Sequence, residues 1–132
     1  MKVILTSGKR KQAIARAVVK KGTGMIRVNS KPLDMVEPKY YRLKMQEPLI
    51  LGEKYANKID ISIKVAGGGM NSQADACRLA IAQGLVEFSK DDKLKKLFLD
   101  YDRNLLVADV RRKEASKPGN SKARHKRQKS FR

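Results

Sequence analysis

Charge falls into three blocks along this chain, and that partition decides which residues can share a core. Residues 1–33 hold nine Lys or Arg and no acid, residues 34–110 hold twelve of each sign, and residues 111–132 hold ten Lys or Arg against Glu114 alone. The net charge of +18 therefore sits at the two ends, around a neutral middle. From Lys117 to Arg132 there are seven Lys or Arg, no acid and one bulky apolar side chain, Phe131. Nothing in that stretch offsets the entropy of ordering it, so it is expected to be an extended basic tail over 117–132. Residues 1–116 are left to form one small globular α/β domain. With no Trp and 5% aromatic residues, its core must be built from Ala, Val, Ile, Leu and Met.

Several classes fall away on composition. No apolar run approaches the roughly 20 residues that cross a bilayer. The start, Met1 to Ser7, is too short an apolar stretch for a signal peptide. The single cysteine, Cys77, rules out an internal disulfide and a cysteine-based zinc cluster. These features point to a soluble cytosolic protein. Basic ends can also meet an anionic membrane surface, but that mode usually adds bulky apolar residues on an amphipathic helix. Nucleic acid is the better partner, because each neutralised phosphate releases counterions.

Hydropathy periods outline the elements. Gln12–Val19 alternates Ala13, Ala15, Ala17 and Val19 with Ile14, Arg16 and Val18, a strand pattern, although so much Ala also suits a helix. The turn Lys21-Gly22-Thr23-Gly24 would return the chain along Met25–Val28 as a hairpin. Asn29 to Pro32 is a second turn. A short helix is expected over Glu37–Gln46 with Pro38 in its first turn, and another from Glu47-Pro48. Ile59–Val65 is the clearest strand, with Ile59, Ile61, Ile63 and Val65 on one face. Gly67-Gly68-Gly69 breaks it, and Asn71 or Ser72 can cap the next helix with Asp75 completing a capping box. That helix buries a stripe of Cys77, Ala80, Ile81, Gly84, Leu85 and Phe88. Asp91-Asp92 opens a further helix with Leu94, Leu97 and Phe98 inward, and Leu105–Val110 reads as a last strand. The fold class is α+β, a small mixed sheet backed by helices.

No catalytic constellation is present. His125, the only histidine, has no carboxylate near it in sequence to orient it as a base. Asp100, Asp102 and Asp109 lack a recognisable metal-ligand spacing, and Cys77 belongs to the apolar stripe. Basic groups remain. Lys9, Arg10, Lys11 and Arg16 form one zone with no acid among them, where a merely solvated face would mix both signs. Gly67, Gly68 and Gly69 precede a helix N-terminus that could receive phosphate, though they match neither GxGxxG nor a P-loop. A tight turn alone explains them equally well. The tail, about 50 Å long if extended, could carry charge where the domain cannot reach.

Three sets of residues carry a family resemblance. The first is Ser7-Gly8-Lys9-Arg10-Lys11-Gln12-Ala13-Ile14-Ala15-Arg16-Ala17. The second is Gly67-Gly68-Gly69 with Gln73-Ala74, Arg78 and Ala80-Ile81-Ala82. The third is Asp109-x-Arg111 with Glu114, Lys117-Pro118-Gly119, Lys122-Ala123-Arg124 and the ending Gln128-Lys129-Ser130-Phe131-Arg132. Together they resemble the universal small-subunit ribosomal protein family nine over nearly the whole chain. The ending is closer to archaeal and eukaryotic members than to bacterial ones, which usually close on Lys-Arg; Phe131 departs from that bacterial pattern.

The resemblance implies a fold like the second domain of ribosomal protein five, with a left-handed βαβ crossover and an extended basic C-terminal tail. Sequence physics alone would expect the opposite hand, since about 98% of such crossovers are right-handed. It implies a structural, non-enzymatic constituent of the small-subunit head, working in the cytoplasm, with no cofactor, no metal, no membrane and no small-molecule substrate. Its partners would be small-subunit rRNA, neighbouring ribosomal proteins of the head and peptidyl-site tRNA. The rRNA-binding residues would be Lys9, Arg10, Lys11, Arg16, Gly67, Gly68, Gly69, Gln73, Arg78, Arg111, Arg112, Lys113, Lys117, Lys122 and Arg124. Lys129, Ser130, Phe131 and Arg132 would lie near tRNA. Two other readings share the charge or the fold class: the protein part of an RNA-processing ribozyme, and a small-molecule kinase of similar fold, whose glycine pattern is missing.

Overall fold

The computed structural model describes residues 2–119, 122–126 and 129–130. Five strands form one sheet: β1 (Val3–Arg10), β2 (Ala13–Lys21), β3 (Ile26–Val28), β4 (Lys31–Pro32) and β5 (Ile59–Ala66), in the order β1-β2-β5-β3-β4. All neighbours are antiparallel except β3 and β5, which run parallel. Four helices accompany them: α1 (Lys39–Leu51), α2 (Glu53–Ala56), α3 (Met70–Ser89) and α4 (Asp92–Tyr101). The class is the expected mixed α+β one, and none of the helices described is long and apolar enough to cross a membrane.

One face of the sheet is the floor of the core. Ala13, Ala15, Ala17 and Val19 of β2 are buried, as are Ile59, Ile61, Ile63 and Val65 of β5. Both strand patterns therefore stand, and the tertiary packing resolves the helix alternative for the Ala-rich segment. The missed strands are the two-residue β4, read as part of a turn, and the longer β1, whose inward positions are Ile4, Thr6 and Gly8. Thr6 and Gly8 read as polar or neutral, yet they let α3 come close. The Thr6 hydroxyl donates to the Ala80 carbonyl at 3.0 Å, and a Cβ at Gly8 would meet the Ala76 carbonyl oxygen at 2.0 Å. Ala76, Ala80 and Gly84 recur every four residues, so α3 offers the sheet a smooth backbone groove.

Five expectations are corrected. Met25–Val28 does not return along β2: β1 takes one edge of β2 and β5 the other, and β3 lies parallel to β5 instead. α1 runs without a break through Glu47-Pro48, because Pro48 is buried and the helix tolerates its missing N–H in exchange for packing. The capping box is not made: α3 begins after Gly69, with no side-chain cap, and Asp75 pairs with Lys44 Nζ at 2.9 Å. Leu97 on α4 is exposed while Leu94 and Phe98 are buried, so only one edge of that helix faces the core. Leu105–Val110 is not a strand. A 3-10 turn over Arg103–Leu105 buries Leu105, and the chain then leaves the surface, with Val110 exposed. Asp91 does cap α4, its carboxylate accepting from the Lys93 amide at 2.9 Å.

Candidate nucleic-acid interface

The β1–β2 turn is two residues long. Arg10 faces Ala13 across it, and Lys11 takes a left-handed φ of 53°, which lifts its side chain to the tip. Against this turn packs the glycine loop. Gly67 has φ +80°, and a Cβ there would meet the Gln12 carbonyl oxygen at 2.5 Å, so the position excludes any side chain. Gln73 holds the loop from α3, its amide donating to the Gly67 carbonyl at 3.1 Å. Gly69 opens α3 in extended conformation, and apart from its chain neighbours nothing lies within 4 Å of where its Cβ would be. The first amides of a 20-residue helix thus point outward without a side-chain cap.

The C-terminal basic segment closes the third side. Asp109 is the clasp: it accepts from Arg111 Nε at 3.1 Å, Arg111 Nη2 at 2.8 Å and the Arg111 amide at 3.1 Å, and Arg10 Nη2 stands 3.7 Å away. Arg10 Nη1 also donates to the Arg111 carbonyl at 3.0 Å. The Arg111 side chain foremost, then its amide and the Arg10 charge, hold the Asp109 carboxyl well below the usual carboxylate range. The result is a cleft of about 650 Å³ bounded by Arg10, Lys11, Gly68, Gly69, Arg112 and Lys113, with no carboxylate in its lining among the described residues. Two blocks of charge at opposite ends of the sequence meet around one helix N-terminus. Uncapped helix amides and guanidinium groups are the donors that suit an anion such as phosphate.

Not every expected residue is there. Lys9 and Arg16 are exposed on the sheet face that the helices leave uncovered. Arg78 is committed elsewhere: it ion-pairs with Glu47 and, at 3.0 Å, with Asp102, tying α1, α3 and the end of α4 together. Lys117 and Lys122 are exposed. Arg124 forms a two-pronged pair with Glu114 at 2.9 and 2.7 Å, both side chains exposed, which bends the tail segment back on itself. Lys129 and Ser130 are exposed; Phe131 and Arg132 lie outside the described residues. The sequence reading placed Asp109 in a strand over Leu105–Val110 and so missed the clasp, although the opposite charges of Asp109 and Arg111 two residues apart were a signal for it. Cys77 is buried among apolar groups that push its thiol up to about 12, so it stays protonated.

A small α+β domain that gathers its lysines and arginines around a glycine loop and a helix N-terminus is built as an RNA-binding protein. Comparison with known sequences narrows this. The family model of ribosomal protein S9/S16 matches residues 8–132, and the chain belongs to that family. It is 52% identical to the small ribosomal subunit protein uS9 of Methanococcus maripaludis strain C7, over 134 aligned positions covering 100% of both chains. It is 49% identical to the protein of the same name from Methanococcus vannielii, again over 100% of both. It is a ribosomal protein and not an enzyme.

Proposed function

We propose that this chain is a structural constituent of the small ribosomal subunit, working in the cytoplasm, where it binds rRNA of the subunit head and sends its tail toward tRNA in the peptidyl site. Its full-length likeness to small-subunit proteins supports the subunit assignment. The observation that carries the rRNA contact is the convergence of both basic ends on the uncapped start of α3. In this reading Lys11, Arg112 and Lys113 meet phosphates while the amides behind Gly69 receive one more. Arg10 and Arg111 orient the cleft through Asp109, Gly67, Gly68 and Gln73 shape it, and Arg78 holds the helices that frame it. Lys9 and Arg16 reach RNA from the neighbouring sheet face, and Lys117, Lys122 and Arg124 continue the binding surface along the tail.

Residues 1–116 act as the folded unit and 117–132 as the tail. Lys129, Ser130, Phe131 and Arg132 approach tRNA, and neighbouring head proteins complete the surroundings, with no membrane and no small-molecule substrate involved. The parallel pair β3 and β5, joined through α1, is where the left-handed βαβ crossover belongs.

Filter binding to a transcript of the small-subunit head rRNA tests this. Replacing Lys11, Arg112 and Lys113 together with Ala should weaken binding and flatten the salt dependence by about 0.9 for each duplex phosphate that is no longer neutralised. Unchanged affinity and slope would remove the cleft from the interface.

A further inference from the structure

The sheet face turned away from the helices carries an arrangement that the cleft does not explain. Ser7, Arg16 and Lys64 lie in one row across β1, β2 and β5, and Val18, Ser62 and Arg27 lie in the adjacent row across β2, β5 and β3. Arg16 and Lys64 are direct cross-strand partners, and both are exposed. Like charges placed directly opposite destabilise an antiparallel pair, and among the described residues neither cation makes an ion pair with a carboxylate. The only acid on this face among the described residues is Asp60, and its Oδ1 is turned onto the Thr23, Gly24 and Met25 amides at 2.9, 3.1 and 2.9 Å. An anion between Arg16 and Lys64 would relieve the repulsion that folding leaves in place.

We propose that this open sheet face is a second RNA-backbone site, in which Arg16 and Lys64 grip one phosphate and Arg27 takes the next. The inference rests on the reading that rRNA is the partner. Neighbouring strands are about 4.8 Å apart and successive same-face residues about 6.7 Å apart, so two cations converge on one anion and the third stands one step along. Exposed Lys9 continues the face to the β1–β2 turn, so one polyanion can run from the cleft onto the sheet. Ser7 and Ser62 offer hydroxyls beside the cations. Among the described residues the flat face has no aromatic platform for stacking bases, which favours binding of the backbone over reading of sequence.

The test uses the full chain, the head rRNA transcript, filter binding across salt concentrations and hydroxyl-radical footprinting of the RNA. Two variants are compared, Arg16→Gln with Lys64→Gln, and Arg112→Gln with Lys113→Gln. The sheet variant should lose about 0.9 of the salt slope, for one phosphate, together with a patch of protected riboses that the cleft variant retains. Its melting temperature should equal or exceed that of the unaltered protein, since a like-charge pair is gone. If the sheet variant keeps full slope and footprint while the cleft variant loses both, the sheet inference fails and the cleft reading survives. That outcome would also follow if the true occupant were an acidic protein surface. If neither variant changes anything, the rRNA reading itself falls, and this inference with it.

Discussion

Asp60 and Asp109 show how single carboxylates organise the chain beside the basic groups. The Met25 and Thr23 amides, then the Gly24 amide and the Arg27 charge, hold the Asp60 carboxyl below its ordinary value. A depressed folded-state pKa stabilises the protein above the unfolded pKa, about 3.9 for Asp, and that contribution is lost as pH falls further through the folded value. The thermal midpoint of the unaltered protein should therefore exceed that of Asp60→Asn by a constant margin from pH 7 to about 5, and the gap should narrow below about pH 4. A gap that holds constant in acid would show that the amides, and not the charge, provide the stability. Asp109 permits a sharper test, because charge and geometry predict opposite signs. Asp109→Asn raises the formal charge by one, which by charge alone strengthens RNA binding. If the clasp positions the cleft, the same change should weaken head-rRNA binding severalfold in a filter assay.

At the scale of elements, the core depends on close approach between α3 and the sheet. Ile63 is 1% exposed, and Ile63→Ala should cost about 2–5 kcal/mol in denaturant unfolding, the range for large aliphatic truncations. Gly8→Ala adds one methyl group, yet it should cost about 1–3 kcal/mol or more, because the methyl meets helix backbone that cannot rotate aside. The contrast explains what could be read from the sequence. β5 alternates isoleucines with polar residues, a pattern that declares its buried face. β1 hides the same alternation, since two of its buried positions are Thr6 and Gly8, suited to close helix packing and not to a hydrophobic pattern. The pairing of β3 was hidden for another reason. A glycine-rich turn after β2 fits a local hairpin, but the long and well-alternating β5 competes for the same edge and wins. α1 outlasted its expected end because burial of Pro48 outweighs the lost hydrogen bond.

Over the whole molecule, the parts of the candidate site that are local in sequence were legible and the parts that are joined by folding were not. Lys9-Arg10-Lys11 and the three glycines stand out as short runs. Their meeting with Arg111 spans 101 positions, and no local pattern announces it. That union assigns different work to the two basic ends. The turn and Arg111–Lys113 are pre-positioned by the sheet, the glycine loop and the Asp109 clasp, so little ordering is required when they bind. The tail beyond Lys117 contains no helix or strand among the described residues, so each of its cations returns less net affinity once the entropy of ordering is met. Deleting Gln128 to Arg132 should then leave incorporation into small subunits nearly unchanged and weaken retention of tRNA at the peptidyl site. Replacing Lys9, Arg10 and Lys11 with Ala should do the reverse, lowering incorporation and flattening the salt slope of rRNA binding by about 0.9 for each duplex phosphate left without its cation. Sedimentation of subunits assembled with each variant measures incorporation, and filter binding of tRNA to those same subunits measures retention. If the tail deletion abolished incorporation while the tRNA affinity of each assembled subunit stayed the same, the tail would be the anchor, and the roles of the two ends would have to be exchanged.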